Sequence, residues 1–209
     1  MPVTFDLFGT LVAADRPDDP AAAVAHELEA RGVAVPDDWA TAYVEPHVDA
    51  PAGAEVPLHV HVAHALASRG VEASANAARR AVVAAFEPDV EPVDGARAAV
   101  ERAREQGPVG LLSNCAVPEL ARRSLLAADL RWRSGADREP LFDALVTSRG
   151  CGWRKPDARA FETVVAELGC APDELVHVGD DPDTDGGIEA VGGRFVNVAR
   201  TPLSALFAT

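Results

Sequence analysis

The amino-acid sequence predicts an α/β protein in which a parallel sheet is covered by helices and interrupted by a helical insertion. Beyond residue 95, short apolar segments alternate with amphipathic helical segments, which is typical of a parallel sheet with helical crossovers. Before that point, residues 20–88 carry four helical patterns in succession with no strand between them. The chain has 209 residues, which suits one domain that carries a smaller insertion.

The first half of the chain holds one predicted strand and the four predicted helices. The apolar run from Val3 to Phe8 predicts a buried strand, closed by the turn residues Gly9 and Thr10. Pro, Gly and Asp residues then separate the helical segments, which are AAAVAHELEARG, DDWATAYVE, VPLHVHVAHALASRG and SANAARRAVVAAFE.

In the second half, strands and helices alternate. An amphipathic helix, ARAAVERAREQG, ends at Gly107. A polar loop is predicted at residues 131–140. The remaining predicted elements are, in order, the strand PVGLLS, the helix PELARRSLLAADL, the strand DALVTS, the helix DARAFETVVAELG and the strands LVHVGD and RFVNV.

Composition excludes several classes of function. The chain has 33 acidic and 19 basic residues, a formal charge of -14 that repels nucleic-acid phosphates and anionic membrane surfaces. Because 48% of the residues are hydrophobic but only 5% aromatic, the core must be built mainly from Ala, Val and Leu. We therefore expect a small-molecule substrate, with no nucleic-acid or membrane partner, while the oligomeric state is not readable from the sequence.

The cysteines and the N-terminal segment indicate a cytoplasmic protein. Three cysteines, Cys115, Cys151 and Cys170, share no metal-binding spacing and give no disulfide framework. The chain opens directly on an apolar strand, without a leader-like or membrane-spanning segment. An excess of acidic residues with a single lysine also fits a halophilic, salt-rich cytoplasm, in which surface carboxylates keep proteins soluble.

Four of the predicted strands carry a polar or acidic residue at or near the point where the chain turns toward a helix. These residues are Asp6, Ser113, Ser148 and Asp180. Because the carboxyl ends of parallel strands form the ligand-binding edge of such sheets, we expect the functional site there.

The residue types at this edge indicate attack by a carboxylate. Asp6 interrupts an apolar strand, where an unpaired carboxylate is costly unless a cation or hydrogen bonds compensate it. Asp180 and Asp181 open an acidic turn whose oxygen ligands suit Mg²⁺. Ser113 and Asn114 precede a helix and can hold an anion. The only lysine, Lys155, can neutralise a charged nucleophile or substrate, so phosphoryl transfer or displacement at carbon is predicted.

Four segments of the chain resemble the motifs of the haloacid dehalogenase superfamily of hydrolases, in order and in spacing. They are FDLFGTLV at 5–12, LLSN at 111–114, RKPDARAF at 154–161 and GDDPDTD at 179–185. The resemblance covers almost the whole chain and implies a Rossmann-like core domain, residues 1–15 and 92–209, with an inserted helical cap domain, residues 16–91.

The resemblance also implies a role for each matching residue. Asp6 would be the nucleophile that forms an aspartyl intermediate, and Ser113 and Lys155 would complete the catalytic set, with Asp185 as the supporting partner of Lys155. Mg²⁺ would be held by Asp6, the backbone carbonyl of Phe8, Asp180 and Asp181. Substrate would be bound by Gly9, Thr10, Ser113, Asn114 and Lys155.

Phe8 departs from the phosphatase pattern, which has an acid–base aspartate at this position. Loss of such an acid–base residue typically lowers the reaction rate about 10²–10⁴-fold. The dehalogenases of the family carry an aromatic residue here and Ser-Asn in the second motif, but their fourth motif lacks the acidic run and binds no metal. The sequence therefore favours a Mg²⁺-dependent hydrolase of small phosphorylated metabolites. A metal-independent 2-haloacid dehalogenase and a catalytically silent binding module remain the alternatives.

Overall fold

The computed structural model describes residues 1–87, 89–131 and 140–207 of the chain. Within them lie seven strands: β1 (Val3–Phe5), β2 (Val12–Ala14), β3 (Val90–Pro92), β4 (Val109–Ser113), β5 (Ala144–Thr147), β6 (Val176–Gly179) and β7 (Arg194–Asn197). The α-helices are α1 (Pro20–Glu29), α2 (Trp39–Val44), α3 (Leu58–Ser68), α4 (Ala75–Ala85), α5 (Ala96–Gln106), α6 (Leu120–Ala127), α7 (Ser148–Cys151) and α8 (Ala158–Leu168).

The main sheet is a five-stranded parallel sheet with the strand order β5-β4-β1-β6-β7. The chain places β4 and β5 on one side of β1 and then returns to place β6 and β7 on the other side. The connections reverse direction around β1, and a crevice opens there at the carboxyl ends of the strands. The predicted α/β fold with a parallel sheet is therefore confirmed.

Local signals in the sequence explain where several helices begin and end. Asp19 caps α1 by accepting a hydrogen bond from the backbone N–H of Ala22 at 2.9 Å, and Pro20 occupies the first helical position. Asp157 caps α8 in the same way, and Gly169 ends that helix in a left-handed conformation with φ of 64°.

Helices α1 to α4 form the helical insertion, and a small two-stranded sheet joins it to the core. Strands β2 and β3 pair antiparallel on either side of the insertion. The sequence did not predict this pair, because segments of three residues carry too little periodicity to show as strands. The predicted domain boundaries at residues 15/16 and 91/92 fall beside this pair, and the division into two domains remains a prediction.

The core is built from small aliphatic residues, as the composition predicts. One continuous apolar cluster joins the insertion, through residues such as Leu28 and Leu66, to Phe5 and Leu111 of the sheet. A second cluster lies between the sheet and α8, around Phe161 and Val164. The insertion is therefore packed onto the core through shared apolar contacts.

Two further expectations can be compared with the structure. Residues 132–139 of the predicted polar loop lie outside the described residues. In the three described ranges, no helix is long and apolar enough to cross a membrane.

Candidate active site

The candidate site lies at the carboxyl edge of the sheet, around Asp6. This residue follows β1 directly, and its backbone N–H still donates a hydrogen bond to the carbonyl of Val178 at 2.8 Å. Because β1 lies between β4 and β6, the ends of those strands bring Ser113 and Asp180 to either side of Asp6. The side chain of Asp6 is only 11% exposed, so its negative charge is largely withdrawn from water.

Lys155 supplies the positive charge next to Asp6. Its side chain is buried, and Nζ donates three hydrogen bonds: to Oδ1 of Asp6 at 2.7 Å, to Oδ1 of Asp185 at 2.5 Å and to the carbonyl of Leu112 at 3.0 Å. All three N–H donors of the ammonium group are therefore used. The geometry fixes Lys155 between the two carboxylates, as the resemblance implied for Lys155 and Asp185.

Both carboxylate oxygens of Asp185 accept hydrogen bonds. Besides Lys155, its Oδ1 accepts a hydrogen bond from Nε2 of His177 at 3.0 Å, and its Oδ2 accepts one from the backbone N–H of Asp181 at 3.1 Å. Burial would raise the pKa of Asp185, but the hydrogen bond from His177 and the charge of Lys155 outweigh burial and hold this pKa well below its usual range. Asp185 is therefore ionised and acts as an anchor for Lys155.

His177 is a residue of the site that the sequence did not reveal. It lies in β6, is fully buried and packs edge-on against the ring of Phe161. Burial lowers the pKa of His177, and the charge of Lys155 adds to this effect. A neutral ring that donates through Nε2 to Asp185 must accept through Nδ1, which lies 2.9 Å from the hydroxyl of Thr4. A lone histidine in an apolar strand gave no signal that distinguished it from an ordinary core residue.

The acidic turn after β6 contributes Asp180 to the site. Its Oδ1 accepts a hydrogen bond from the hydroxyl of Thr10 at 3.0 Å. A Cβ atom added to Gly9 would lie 2.4 Å from Oδ2 of Asp180, so only glycine allows this close approach. Burial raises the pKa of Asp180, the bond from Thr10 opposes the shift, and the negative charge of Asp6 adds to it.

Asp181 is placed differently from its neighbour. Its Oδ1 accepts a hydrogen bond from the backbone N–H of Asp183 at 2.9 Å, and its Oδ2 accepts one from the hydroxyl of Thr184 at 3.1 Å. These bonds shape the turn itself. A role for Asp181 as a metal ligand therefore remains a prediction that the side-chain contacts do not favour.

Ser113 and Asn114 lie at the end of β4 and play different structural parts. The hydroxyl of Ser113 is buried and has no hydrogen-bond partner among the described residues. Asn114 pairs with the backbone of Lys155 in both directions, accepting from its N–H at 2.8 Å and donating to its carbonyl at 2.9 Å. Ser113 is free to bind a ligand, whereas the Asn114 amide positions Lys155.

Phe8 forms a wall of a pocket between the site and the insertion. The pocket has a volume of about 200 Å³ and is lined by Phe8, Ala14, Asp15, Arg16, Leu58, Phe86, Asn114, Cys115, Ala116, Val117, Leu120 and Arg154. Burial raises the pKa of the Cys115 thiol, which stays protonated and unreactive at neutral pH. A small molecule in this pocket would lie directly beside the carboxyl edge of the sheet.

The donor set fits the divalent cation that the resemblance implies. Carboxylate oxygens of Asp6, Asp180 and Asp185 come within 4.8 Å of one another. With Lys155 as the one ammonium group among them and His177 neutral, three carboxylates leave two negative charges uncompensated. Because Asp185 already accepts three hydrogen bonds, Asp6, Asp180 and the carbonyl of Phe8 are the oxygens best suited to hold Mg²⁺.

Fold and site together define the class of the protein: an α/β protein in which carboxylates and one lysine meet at the central crevice of a parallel sheet. The family profile described as haloacid dehalogenase-like hydrolase matches residues 3–192. The chain therefore belongs to the haloacid dehalogenase-like hydrolases, as its four motifs predicted.

Individual relatives include both phosphatases and dehalogenases. A phosphoserine phosphatase from Thermus thermophilus is 36% identical over 107 residues, which are 50% of this chain and 39% of that protein. The match thus spans well under half of the relative's length.

Two solved structures resemble the fold over nearly all of the chain. The 2-haloacid dehalogenase from Pseudomonas syringae superimposes with a TM-score of 0.64 at 22% identity, over 94% of this chain and 85% of that one. A haloacid dehalogenase family enzyme from Bacteroides thetaiotaomicron, in complex with magnesium and inorganic phosphate, gives a TM-score of 0.57 at 14% identity, over 94% and 92%. At these identities the two structures support the fold.

Proposed function

We propose that the protein is a Mg²⁺-dependent phosphatase of small phosphorylated metabolites that works through an aspartyl-phosphate on Asp6. The observation that carries the proposal is the charge of the site: three carboxylates with neighbouring oxygens and a single ammonium group. Clustered carboxylates of this kind would repel one another unless a cation were bound. A metal-independent dehalogenase has no need for two uncompensated negative charges beside its nucleophile.

In the first step, a carboxylate oxygen of Asp6 attacks the phosphorus atom and the bond to the ester oxygen breaks. Lys155 occupies Oδ1 of Asp6, while no described residue donates a hydrogen bond to Oδ2, so Oδ2 is the oxygen available for attack. The hydroxyl of Ser113, which lacks a partner, would donate to a phosphoryl oxygen. When bound, Mg²⁺ supplies charge stabilisation for the transferring phosphoryl group.

In the second step, water attacks the phosphorus atom of the aspartyl-phosphate, which releases inorganic phosphate and restores Asp6. Each step moves a proton: one to the leaving alkoxide and one from the attacking water. Phe8 can carry neither proton. The chemistry therefore favours substrates whose leaving group departs readily or carries its own proton donor.

Two similar proteins support phosphate ester hydrolysis, while a 2-haloacid dehalogenase among the similar structures matches the alternative. One bears the name phosphoserine phosphatase, and another was solved with magnesium and inorganic phosphate bound. The order of the four motifs and the geometry of the site support the assignment of this chemistry to Asp6, Ser113, Lys155 and Asp180.

The experiment is hydrolysis of a panel of phosphate esters and acyl phosphates with Mg²⁺ and with EDTA. We expect turnover that requires Mg²⁺ and disappears in Asp6→Asn. Phe8→Asp should raise the rate on esters with poor leaving groups by up to about 10²–10⁴-fold, because it restores a proton carrier. If no phosphate compound is hydrolysed, with or without Mg²⁺, the proposal is wrong.

A 2-haloacid dehalogenase is the second candidate, and the aromatic Phe8 beside Asn114 favours it. In that reaction Asp6 would displace halide from carbon, and the halide would leave without protonation. Chloride release from 2-chloropropionate that is unaffected by EDTA and abolished in Asp6→Asn would support this candidate. No release at high enzyme concentration would remove it.

A further inference from the structure

One acidic residue of the helical insertion is buried against the parallel-sheet core. Glu55 lies in the loop between α2 and α3, and its side chain is only 2% exposed. Its Oε2 accepts a hydrogen bond from the hydroxyl of Ser148 at 2.5 Å. Ser148 follows β5 directly, so Glu55 binds one of the four polar residues at the carboxyl edge of the sheet.

Ser148 connects Glu55 to the segment that follows β4. Its hydroxyl accepts a hydrogen bond from the backbone N–H of Cys115 at 2.8 Å. Cys115 comes directly after Asn114, whose amide forms both hydrogen bonds to the backbone of Lys155. Glu55 therefore restrains, through Ser148, the segment that holds Lys155 in place.

Glu55 also contacts the segment that carries Lys155 itself. Nη1 of Arg154 lies 3.2 Å from Oε1 and 3.3 Å from Oε2 of Glu55. The backbones pair as well: the N–H of Glu55 donates to the carbonyl of Gly152 at 2.8 Å, and the N–H of Arg154 donates to the carbonyl of Gly53 at 2.9 Å. The loop of the insertion and the segment before Lys155 thus form a short antiparallel pairing.

The carboxylate of Glu55 is suited to join these contacts. An apolar side chain could fill the same space, but a group with two acceptor oxygens binds the Ser148 hydroxyl and the Arg154 guanidinium at the same time. The ion pair with Arg154 compensates the cost of burying the charge. Both contacts are made directly beside the residues that fix the ammonium group, next to Asn114 in one segment and next to Lys155 in the other.

We propose that Glu55 is a positioning residue for phosphoryl transfer. It fixes the insertion against the segments of Asn114 and Lys155, and thereby keeps the ammonium group beside Asp6. The inference rests on the proposed phosphatase function and adds a residue of the insertion to a site whose catalytic groups come from the core. Glu55 acts through its neighbours in the core and not on the substrate.

The kinetic signature of this role is a loss of kcat without a matching change in KM. A displacement of about 1 Å at a reacting group can lower a rate about 10²-fold, so Glu55→Ala should lower kcat for p-nitrophenyl phosphate about 10- to 100-fold. Glu55→Gln keeps an oxygen that can accept from Ser148 but loses the ion pair, so its kcat should lie between the two. A higher KM with an unchanged kcat would contradict the inference, because it would assign Glu55 to substrate binding.

Glu119→Gln is the matched control. Glu119 also forms an ion pair between core and insertion, with Arg79 of α4, but this pair is exposed and involves neither Ser148 nor Arg154. The control should keep the native kcat, and equal losses in the two proteins would contradict a specific role for Glu55. Circular dichroism shows whether each variant is folded in the assay. If Glu55→Ala is not, Glu55→Gln takes its place in the comparison.

The single lysine allows a measurement that does not depend on activity. Incorporation of lysine labelled with ¹⁵N in its side chain gives one Nζ resonance, because Lys155 is the only lysine of the chain. Nζ donates to Asp6, Asp185 and the carbonyl of Leu112, so its resonance reports the position of the ammonium group. We expect Glu55→Ala to shift or broaden this resonance and Glu119→Gln to leave it unchanged.

The two measurements separate this inference from the phosphatase proposal. If the native protein hydrolyses no phosphate ester but the Nζ resonance moves in Glu55→Ala alone, the phosphatase proposal is wrong and the positioning role is supported. If the native protein is a phosphatase and Glu55→Ala changes neither kcat nor the resonance, the positioning role is wrong. A lower kcat with an unchanged resonance would also contradict it, since the effect would not pass through Lys155.

Discussion

Nζ of Lys155 lies 2.7 Å from Oδ1 of Asp6, and both side chains are almost withdrawn from solvent. Lys155 reaches Asp6 from the segment before α8, which Asn114 holds in place through two hydrogen bonds to the Lys155 backbone. The only lysine of the chain thus neutralises the carboxylate at the centre of the sheet. Two buried carboxylates, Asp6 and Asp185, depend on this one ammonium group.

Lys155→Met should therefore destabilise the protein by about 3–5 kcal/mol, because it leaves buried carboxylates without their cation. Urea unfolding followed by circular dichroism measures the change. Arg80→Met is the control, since Arg80 is exposed and within the described ranges has no ion-pair partner; it should stay within about 0.5 kcal/mol of the native protein. Equal effects of the two substitutions would contradict the role of Lys155.

Ser113→Ala should separate activity from stability. The buried hydroxyl of Ser113 has no partner in the described structure, so removing it breaks no hydrogen bond and relieves an unsatisfied polar group. We expect the variant to be as stable as the native protein, or more stable by up to about 1–3 kcal/mol, while phosphatase turnover falls.

Ser124→Ala is the matched control, because the Ser124 hydroxyl on α6 is also buried without a partner but does not lie at the end of a strand. Its stability should change in the same direction and its turnover should not change. If Ser113→Ala lost stability and turnover together, the hydroxyl would have a structural role that the contacts do not show.

Gly179→Ala should disturb the anchor of Lys155. A Cβ atom at Gly179 would lie 2.1 Å from Oδ2 of Asp185, which must then move. The crowding should cost about 1–3 kcal/mol, and turnover should fall because Asp185 no longer fixes the ammonium group. Gly186→Ala is the control, since its nearest neighbour would be an atom of Phe195 at 3.9 Å. A well-tolerated Gly179→Ala would mean that Asp185 can shift without loss.

The sequence predicted the residues at the strand ends because parallel strands bring their carboxyl ends to one edge. Asp6, Ser113 and Asp180 meet for this reason, and no tertiary information was needed to bring them together. Lys155 was identified from the composition, because it is the only lysine in a chain whose other basic residues are arginines. Strands β2 and β3 were missed because three residues show no pattern.

Residue types and spacing alone did not predict the side-chain directions within the acidic turn, and only the family resemblance implied that Asp185 pairs with Lys155. Asp180, Asp181 and Asp185 are the same residue type in one short acidic segment, but their carboxylates have different partners. Asp180 accepts a hydrogen bond from Thr10, Asp181 accepts one from Thr184 within the turn, and Asp185 accepts one from Lys155. The difference arises because the backbone N–H of Asp185 binds the carbonyl of Asp181 at 2.8 Å, which reverses the chain. His177 was missed for a related reason: its importance comes from Asp185, which approaches it only in the folded protein.

The neutral state of His177 predicts how stability depends on pH. Burial lowers the pKa of this ring in the folded protein, whereas in the unfolded chain the ring titrates near its ordinary value of about 6.5. Below that pH the unfolded chain binds a proton that the folded protein resists, so the free energy of unfolding falls as the pH falls. One such proton changes stability by at most about 1.4 kcal/mol per pH unit.

Urea unfolding of the native protein and His177→Gln between about pH 8 and pH 5 tests this prediction, because the other histidines are common to both proteins and cancel in the difference. The variant loses the bond from Thr4 and should be less stable at pH 8, but its stability should fall less steeply below about pH 6.5. Asp185 keeps Lys155 as its partner in both proteins, and the charge of Lys155 lowers the pKa of Asp185 without His177, so the contribution of Asp185 is lost in stronger acid. Parallel pH profiles for the two proteins would show that His177 has the same pKa in the folded and unfolded states, and a steeper fall in the variant would show that His177 pairs with Asp185 as a cation.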